Sequence, residues 1–204
     1  EELTKTGETN SLARKLKNSF TSTAPLITGE EEMAYVGHSI ANAGDVNGDG
    51  YDDVLVGDTR ASYSGSYSGA TYVLYGGPAV GVGGSVTLGA LSGGDGFIVY
   101  GSGVSDYSGV SVSCAGDIDH DGVSDIIIGA YQADHMSSNE GSSYVLFEGT
   151  VPSGVFRLSG LGGVNGFEIF GVSSGDYSGS VVRGVGDMNA DGVDDVLVGA
   201  YAAD

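Results

Sequence analysis

The 204-residue sequence contains one cysteine, three prolines and no tryptophan, and only seven of its residues are Lys or Arg. A lone cysteine excludes a disulfide framework within the chain. The shortage of bases excludes more. Set against 27 acidic residues it leaves a formal net charge of −20, and nucleic-acid phosphates are held by clustered Lys and Arg. After Lys17 the bases are Arg60, Arg157 and Arg183, so no nucleic-acid partner is expected. No apolar run approaches the roughly 18 residues of a membrane-crossing helix, so no membrane span is expected either. There is no Asn-x-Ser/Thr sequon for N-glycosylation. The chain begins at Glu1 with no signal-peptide pattern ahead of it, which suggests a processed or excised polypeptide.

What is present points to a folded chain. Twelve Tyr and six Phe stand in spaced apolar runs, whereas charged disordered chains are poor in such residues. Three segments align: GDVNGDGYDDVLVG from Gly44, GDIDHDGVSDIIIG from Gly116 and GDMNADGVDDVLVG from Gly186. Gly37, Gly109 and Gly179 precede them at one fixed distance, and Gly29, Gly101 and Gly171 at another. ATYVLYGG from Ala70 matches SSYVLFEG from Ser142, and GFIVYG from Gly96 matches GFEIFG from Gly166. Such periodicity marks an array of supersecondary units.

Within each unit the runs Val54–Val56, Ile126–Ile128 and Val196–Val198 are too short for helices and suit buried strands. Strands are expected after Gly37, at Val54, around Tyr72 and at Phe97. Four strands per unit predict an all-β fold of β-propeller blades, about two and a half in this chain. The repeats fall near residues 30–101, 102–171 and 172–204, within a region spanning 25–204. Residues 1–24 form an N-terminal arm. There Leu12, Leu16 and Phe20 stand four apart behind Asn10, and a short amphipathic helix and a disordered basic arm both fit.

The aligned loops carry oxygen-bearing side chains at alternate positions: Asp45, Asn47, Asp49 and Asp53; Asp117, Asp119, Asp121 and Asp125; Asp187, Asn189, Asp191 and Asp195. Position six is Gly50, Gly122 or Gly192, which permits a sharp turn and leaves the carbonyls of Tyr51, Val123 and Val193 at position seven. All-oxygen donors with no His or Cys among them point to Ca²⁺, at three sites. Two carboxylates about 5 Å apart repel by roughly 3 kcal/mol at an effective dielectric near 20, so a converging set needs a cation to hold it closed. Asp, Asn and Gly are also ordinary turn formers, but three copies in register argue for more than a turn. An EF-hand is excluded because its position 12 requires Glu, and here it is Val56, Ile128 or Val198.

These residues resemble the FG-GAP repeats of integrin α-subunit propellers, and more closely the integrin-α-like repeats of bacterial surface proteins. The openings read AYVGHS, DYSGVS and DYSGSV, with Tyr where the family has Phe. The closings VGDTR, IGAYQ and VGAYA lack the family's proline. LITGEEEMAYVG from Leu26 resembles the link from an outer strand to the next blade's inner strand. The resemblance implies a propeller with Ca²⁺ in the loop between the first two strands of a blade, in an extracellular or cell-surface setting.

Other signals carry less. His38, His120 and His135 share no repeat position, so a nucleophile–base–acid set has no support and no enzyme activity is expected. Cys114 reads as a packed thiol or as one half of an intermolecular disulfide. The recurrences Tyr72/Tyr144 and Tyr107/Tyr177 read as core spacing, with a carbohydrate site as the alternative. The leading functional reading is a non-enzymatic, Ca²⁺-stabilised module for cell-surface adhesion or extracellular assembly, whose partner is another protein or a further copy of the chain. One alternative is a structural subunit of a fibre or surface layer formed by inter-chain strand addition, through residues 16–29. Another is an accessory or lyase domain of a polysaccharide-acting enzyme. An incomplete third blade is expected either in a piece of a longer propeller or in a chain that a second copy completes.

Overall fold

The computed structural model describes residues 26–28, 35–78, 80, 85–150 and 154–204. The expected N-terminal arm, residues 1–24, lies outside the described residues. The first six strands are β1 (Leu26–Thr28), β2 (Val36–Gly44), β3 (Asp53–Asp58), β4 (Ala70–Leu74), β5 (Ser85–Thr87) and β6 (Gly96–Tyr100). Next come β7 (Ser111–Gly116), β8 (Asp125–Ala130), β9 (Ser142–Leu146) and β10 (Val155–Arg157). Last are β11 (Gly166–Phe170), β12 (Ser178–Gly186) and β13 (Asp195–Ala200).

The strands form antiparallel blades. In the first the order is β2-β3-β4-β6, and in the second β7-β8-β9-β11; β12 and β13 pair as the first two strands of a third. Each strand expected after a repeat glycine or at a β-branched run is present. The short strands β5 and β10 were not expected. β10 runs parallel to β6, the outer strand of the blade before it, with Phe156 opposite Val99. β5 makes the same parallel pairing with β1, with Val86 opposite Ile27. β1 thus holds the place of an outer strand.

The apolar runs are unbroken because the middle strands are covered on both faces. Leu55, Val73, Phe97 and Val99 pack against Val112, Ile126, Ile128 and Leu146 between blades one and two. The opposite face of blade one presents Val56, Tyr72, Leu74 and Ile98, covered by Leu88 and Leu91 from the single 3₁₀ turn that follows β5. Ala115, Ile127, Val145 and Val182 fill the space between blades two and three. Burial of these side chains, about 1.5–3 kcal/mol each for Val, Leu, Ile or Phe, is the main force joining the blades.

Glycines set how closely the blades seat. A Cβ on Gly57 would overlap the carbonyl of Gly109, and one on Gly129 the carbonyl of Gly179. Across the same two seams Ser108 N–H donates to Ser68 O at 3.1 Å and Ser178 N–H to Glu140 O at 2.9 Å.

Tyr72 and Tyr144 are buried, as their spacing implies. Tyr107 and Tyr177 are instead half-buried at the turn entering a blade, with left-handed φ of 53° and 54°. They join Tyr67, Tyr131 and Tyr201 in one row of rings whose successive centroids lie 5.1 to 6.0 Å apart. No helix among the described residues is long and apolar enough to cross a membrane.

Candidate metal centres

The three aspartate loops join the first two strands of successive blades, at the end opposite the tyrosine row. Positions 4 and 6 both take left-handed φ in every copy. Position 4 has 74° at Gly48, 63° at His120 and 60° at Ala190, and position 6 has 89°, 89° and 94° at Gly50, Gly122 and Gly192. These two reversals turn the alternate side chains inward, and only glycine adopts such a φ without a steric cost.

Backbone N–H groups then fix the carboxylates. At position 1, Asp45, Asp117 and Asp187 accept from the position-6 glycine at 2.8, 3.1 and 2.9 Å. At position 3, Asn47, Asp119 and Asn189 accept from position 5 at 2.9, 3.1 and 2.8 Å. Asp49, Asp121 and Asp191 at position 5 accept from Tyr51, Val123 and Val193 at 3.0, 2.9 and 2.9 Å. At position 9, Asp53, Asp125 and Asp195 reach back to the N–H of position 2 at 2.9, 2.7 and 2.8 Å. One loop architecture is built three times.

The second loop differs in two respects. Position 1 of the first and third loops also accepts the position-5 N–H, at 3.0 and 3.2 Å. Asp117 Oδ1 is buried and has no hydrogen-bond partner. A buried carboxylate oxygen without a donor is costly, and a cation would satisfy it. In addition, carboxylate oxygens of Asp117, Asp119 and Asp125 lie within 4.8 Å of one another, a set that could hold a metal ion. Among the described residues it is the one such three-residue cluster. Asp121 is outside it, with Oδ2 against Gly149. Asn47 and Asn189 put an amide where the second loop has Asp119. The donors are hard oxygens throughout, so the residues present fit a hard divalent cation.

Burial acts on the position-9 carboxyls. It pushes Asp125 up to about 6, against the N–H groups of Ile118 and Glu148, with like-charge repulsion from Asp119 adding to the rise. Asp53 is raised too, by burial first, with the N–H groups of Gly76 and Val46 opposing and Asp49 and Asp45 adding.

Sequence reasoning missed Glu148. Its side chain is buried, its Oε1 has no hydrogen-bond partner, and its N–H donates to Asp125 Oδ1 at 3.3 Å. Burial, then the charges of Asp125 and Asp53, raise its carboxyl well above the usual range. The signal was available, since Glu148 stands where the preceding repeat has Gly76.

The remaining candidates do not converge. His38 is exposed on β2. His120 Nε2 lies 2.8 Å from Gly192 O, and His135 stacks on Phe170 with centroids 4.6 Å apart. Cys114 is a free, half-buried thiol on β7 whose Sγ accepts the Gly116 N–H at 3.4 Å.

Comparison with known proteins bears on these same segments. The model of the FG-GAP repeat matches residues 36–74 and 109–146, each running from the inner strand through the aspartate loop to the third strand. Integrin alpha pat-2 of Caenorhabditis briggsae is 35% identical over 108 residues, 52% of this chain and 8% of that protein. Integrin alpha pat-2 of Caenorhabditis elegans is 45% identical over 51 residues, 24% of this chain and 4% of that protein. The chain thus spans less than a tenth of the length of these curated relatives.

Proposed function

Because this chain carries FG-GAP repeats, we propose that it is a non-enzymatic, Ca²⁺-binding module of an extracellular or cell-surface protein, serving adhesion or assembly. The supporting observation is the same backbone-anchored arrangement of oxygen-bearing side chains in three successive loops, with Asp117, Asp119 and Asp125 converging and Asp117 Oδ1 left without a donor in the second. The ligands of the first site are Asp45, Asn47, Asp49 and Asp53 with the carbonyl of Tyr51. Asp117, Asp119, Asp121 and Asp125 with the carbonyl of Val123 serve the second. Asp187, Asn189, Asp191 and Asp195 with the carbonyl of Val193 serve the third. Bound Ca²⁺ supplies positive charge that offsets the repulsion among these carboxylates. The residues themselves hold the turn between inner and second strands, which fixes where the blade faces lie. Ca²⁺ is preferred over softer metals because no thiolate or imidazole is offered.

A protein partner is the reading for the surface as a whole, by analogy with the integrin α relatives. Residues 25–204 act as the repeat region and residues 1–24 as a separate arm.

Native mass spectrometry with Ca²⁺ present tests the sites directly. The expected result is three ions per chain, falling to two in each of Asp49→Ala, Asp121→Ala and Asp191→Ala. A chain that retains no Ca²⁺ would overturn the proposal. Calorimetry gives the ordering: affinities of about 10⁻⁴ to 10⁻³ M, as in extracellular modules, with the four-carboxylate second loop the tightest.

A further inference from the structure

Neighbouring loops touch each other through one repeated position. Position 8 is Ser124 in the second loop and Asp194 in the third, between the carbonyl at position 7 and the carboxylate at position 9. Ser124 N–H donates to Asp45 O, at position 1 of the first loop, at 3.1 Å. Asp194 Oδ2 accepts the N–H of Asp117, at position 1 of the second loop, at 3.1 Å. The glycine before position 1 makes room for this contact. A Cβ on Gly44 would stand 2.5 Å from Ser124 Oγ, and one on Gly116 would overlap the Asp194 carboxylate. At Gly186, which faces no following loop among the described residues, nothing lies within 4 Å. A second strut joins loops two and three, where His120 Nε2 meets Gly192 O at 2.8 Å.

We propose that Asp194 is a positioning residue for the second cation site, and that through position 8 the loops bind cations as a coupled array. This rests on the Ca²⁺ reading above. A cation held by the Val193 carbonyl and the Asp195 carboxylate pins Asp194 from both sides. Asp194 then fixes the backbone of Asp117, the residue whose Oδ1 lacks a donor. Ordering paid once in loop three need not be paid again in loop two, so the second cation binds more tightly. Linkage makes the effect reciprocal: loop two strengthens loop three by the same factor. Ser124 carries the same coupling toward loop one through its N–H.

The test is an NMR titration of the whole 204-residue chain with Ca²⁺ at constant ionic strength, following the position-6 amides of Gly122 and Gly192 as reporters of loops two and three. Asp194→Ala should weaken binding at Gly122 about fivefold, at the low end of ordinary coupling. Asp194→Asn keeps an oxygen that accepts the Asp117 N–H and should restore the unsubstituted midpoint. Asp191→Ala should weaken loop two by the factor by which Asp121→Ala weakens loop three. An unchanged Gly122 midpoint in Asp194→Ala overturns the proposal. So does an Asp194→Asn chain as weak as the alanine variant, since charge and not position would then be at work. If neither amide responds to Ca²⁺ in the unsubstituted chain, the cation-site reading itself fails, an outcome distinct from loops that bind independently.

Discussion

Glu140 is a carboxylate sealed inside blade two, with its oxygens turned to a loop instead of to water. It accepts the N–H groups of His135, Met136 and Ser137 at 2.8, 2.6 and 3.1 Å and the Ser137 hydroxyl at 2.7 Å. Burial pushes its carboxyl up, but the Met136 N–H, the Ser137 hydroxyl and the other two N–H groups outweigh it and leave the carboxyl below its ordinary value. A folded-state pKa below the unfolded one adds stability at neutral pH, which is lost as pH falls through the folded value. Glu140→Ala should therefore destabilise the chain by about 1.5–3 kcal/mol, the range for hydrogen bonds to a charged group. Urea denaturation at pH 7 and at pH 4 checks it, and the gap between variant and parent should narrow at pH 4. Little of this was legible in the sequence, because the preceding repeat has Ser68 at the equivalent place and solves the same loop with a hydroxyl. The three aspartate loops themselves were legible, since their spacing recurs in all three copies.

The blades are seated on one another through glycine, and repeat-equivalent glycines give an internal control. A side chain on Gly129 meets the Gly179 carbonyl, whereas one on Gly199, the same position in the third blade, meets nothing nearer than 3.5 Å. Gly129→Ala should cost about 1–3 kcal/mol, as overpacking does, and Gly199→Ala less than about 0.5 kcal/mol. Thermal melts of the two variants side by side check the difference. The strands of each blade could be read from sequence because runs such as Ile126–Ile128 are buried on both faces and so are uniformly apolar. β5 and β10 could not. Each is three residues long with no apolar run, and each owes its strand character to pairing with the preceding outer strand, a tertiary contact without a local signal. The tyrosine row was hidden for a related reason, since left-handed backbone at Tyr67, Tyr107 and Tyr177 aims the rings away from where strand alternation would put them.

Across the whole molecule, a chain of net charge −20 concentrates acidic groups in three loops at one end of its blades. The acidic composition, the repeat and the fold meet in the proposed function: the carboxylates would bind cations, and the cations would hold the turn between the inner and second strands of each blade. The fold of the described residues followed from periodicity, while the contacts between loops did not, because position 8 varies between Asp52, Ser124 and Asp194 and carries no constant residue type. The most direct test of the account is the thermal midpoint in about 10 mM Ca²⁺ against a chelator, with NaCl added to match ionic strength. Three sites of about 10⁻³ M each add roughly 1.4 kcal/mol at that concentration, and a chain of this size gains about 2–4 °C per kcal/mol. The account predicts a rise of about 10 °C or more with Ca²⁺; equal midpoints in Ca²⁺ and chelator would contradict it.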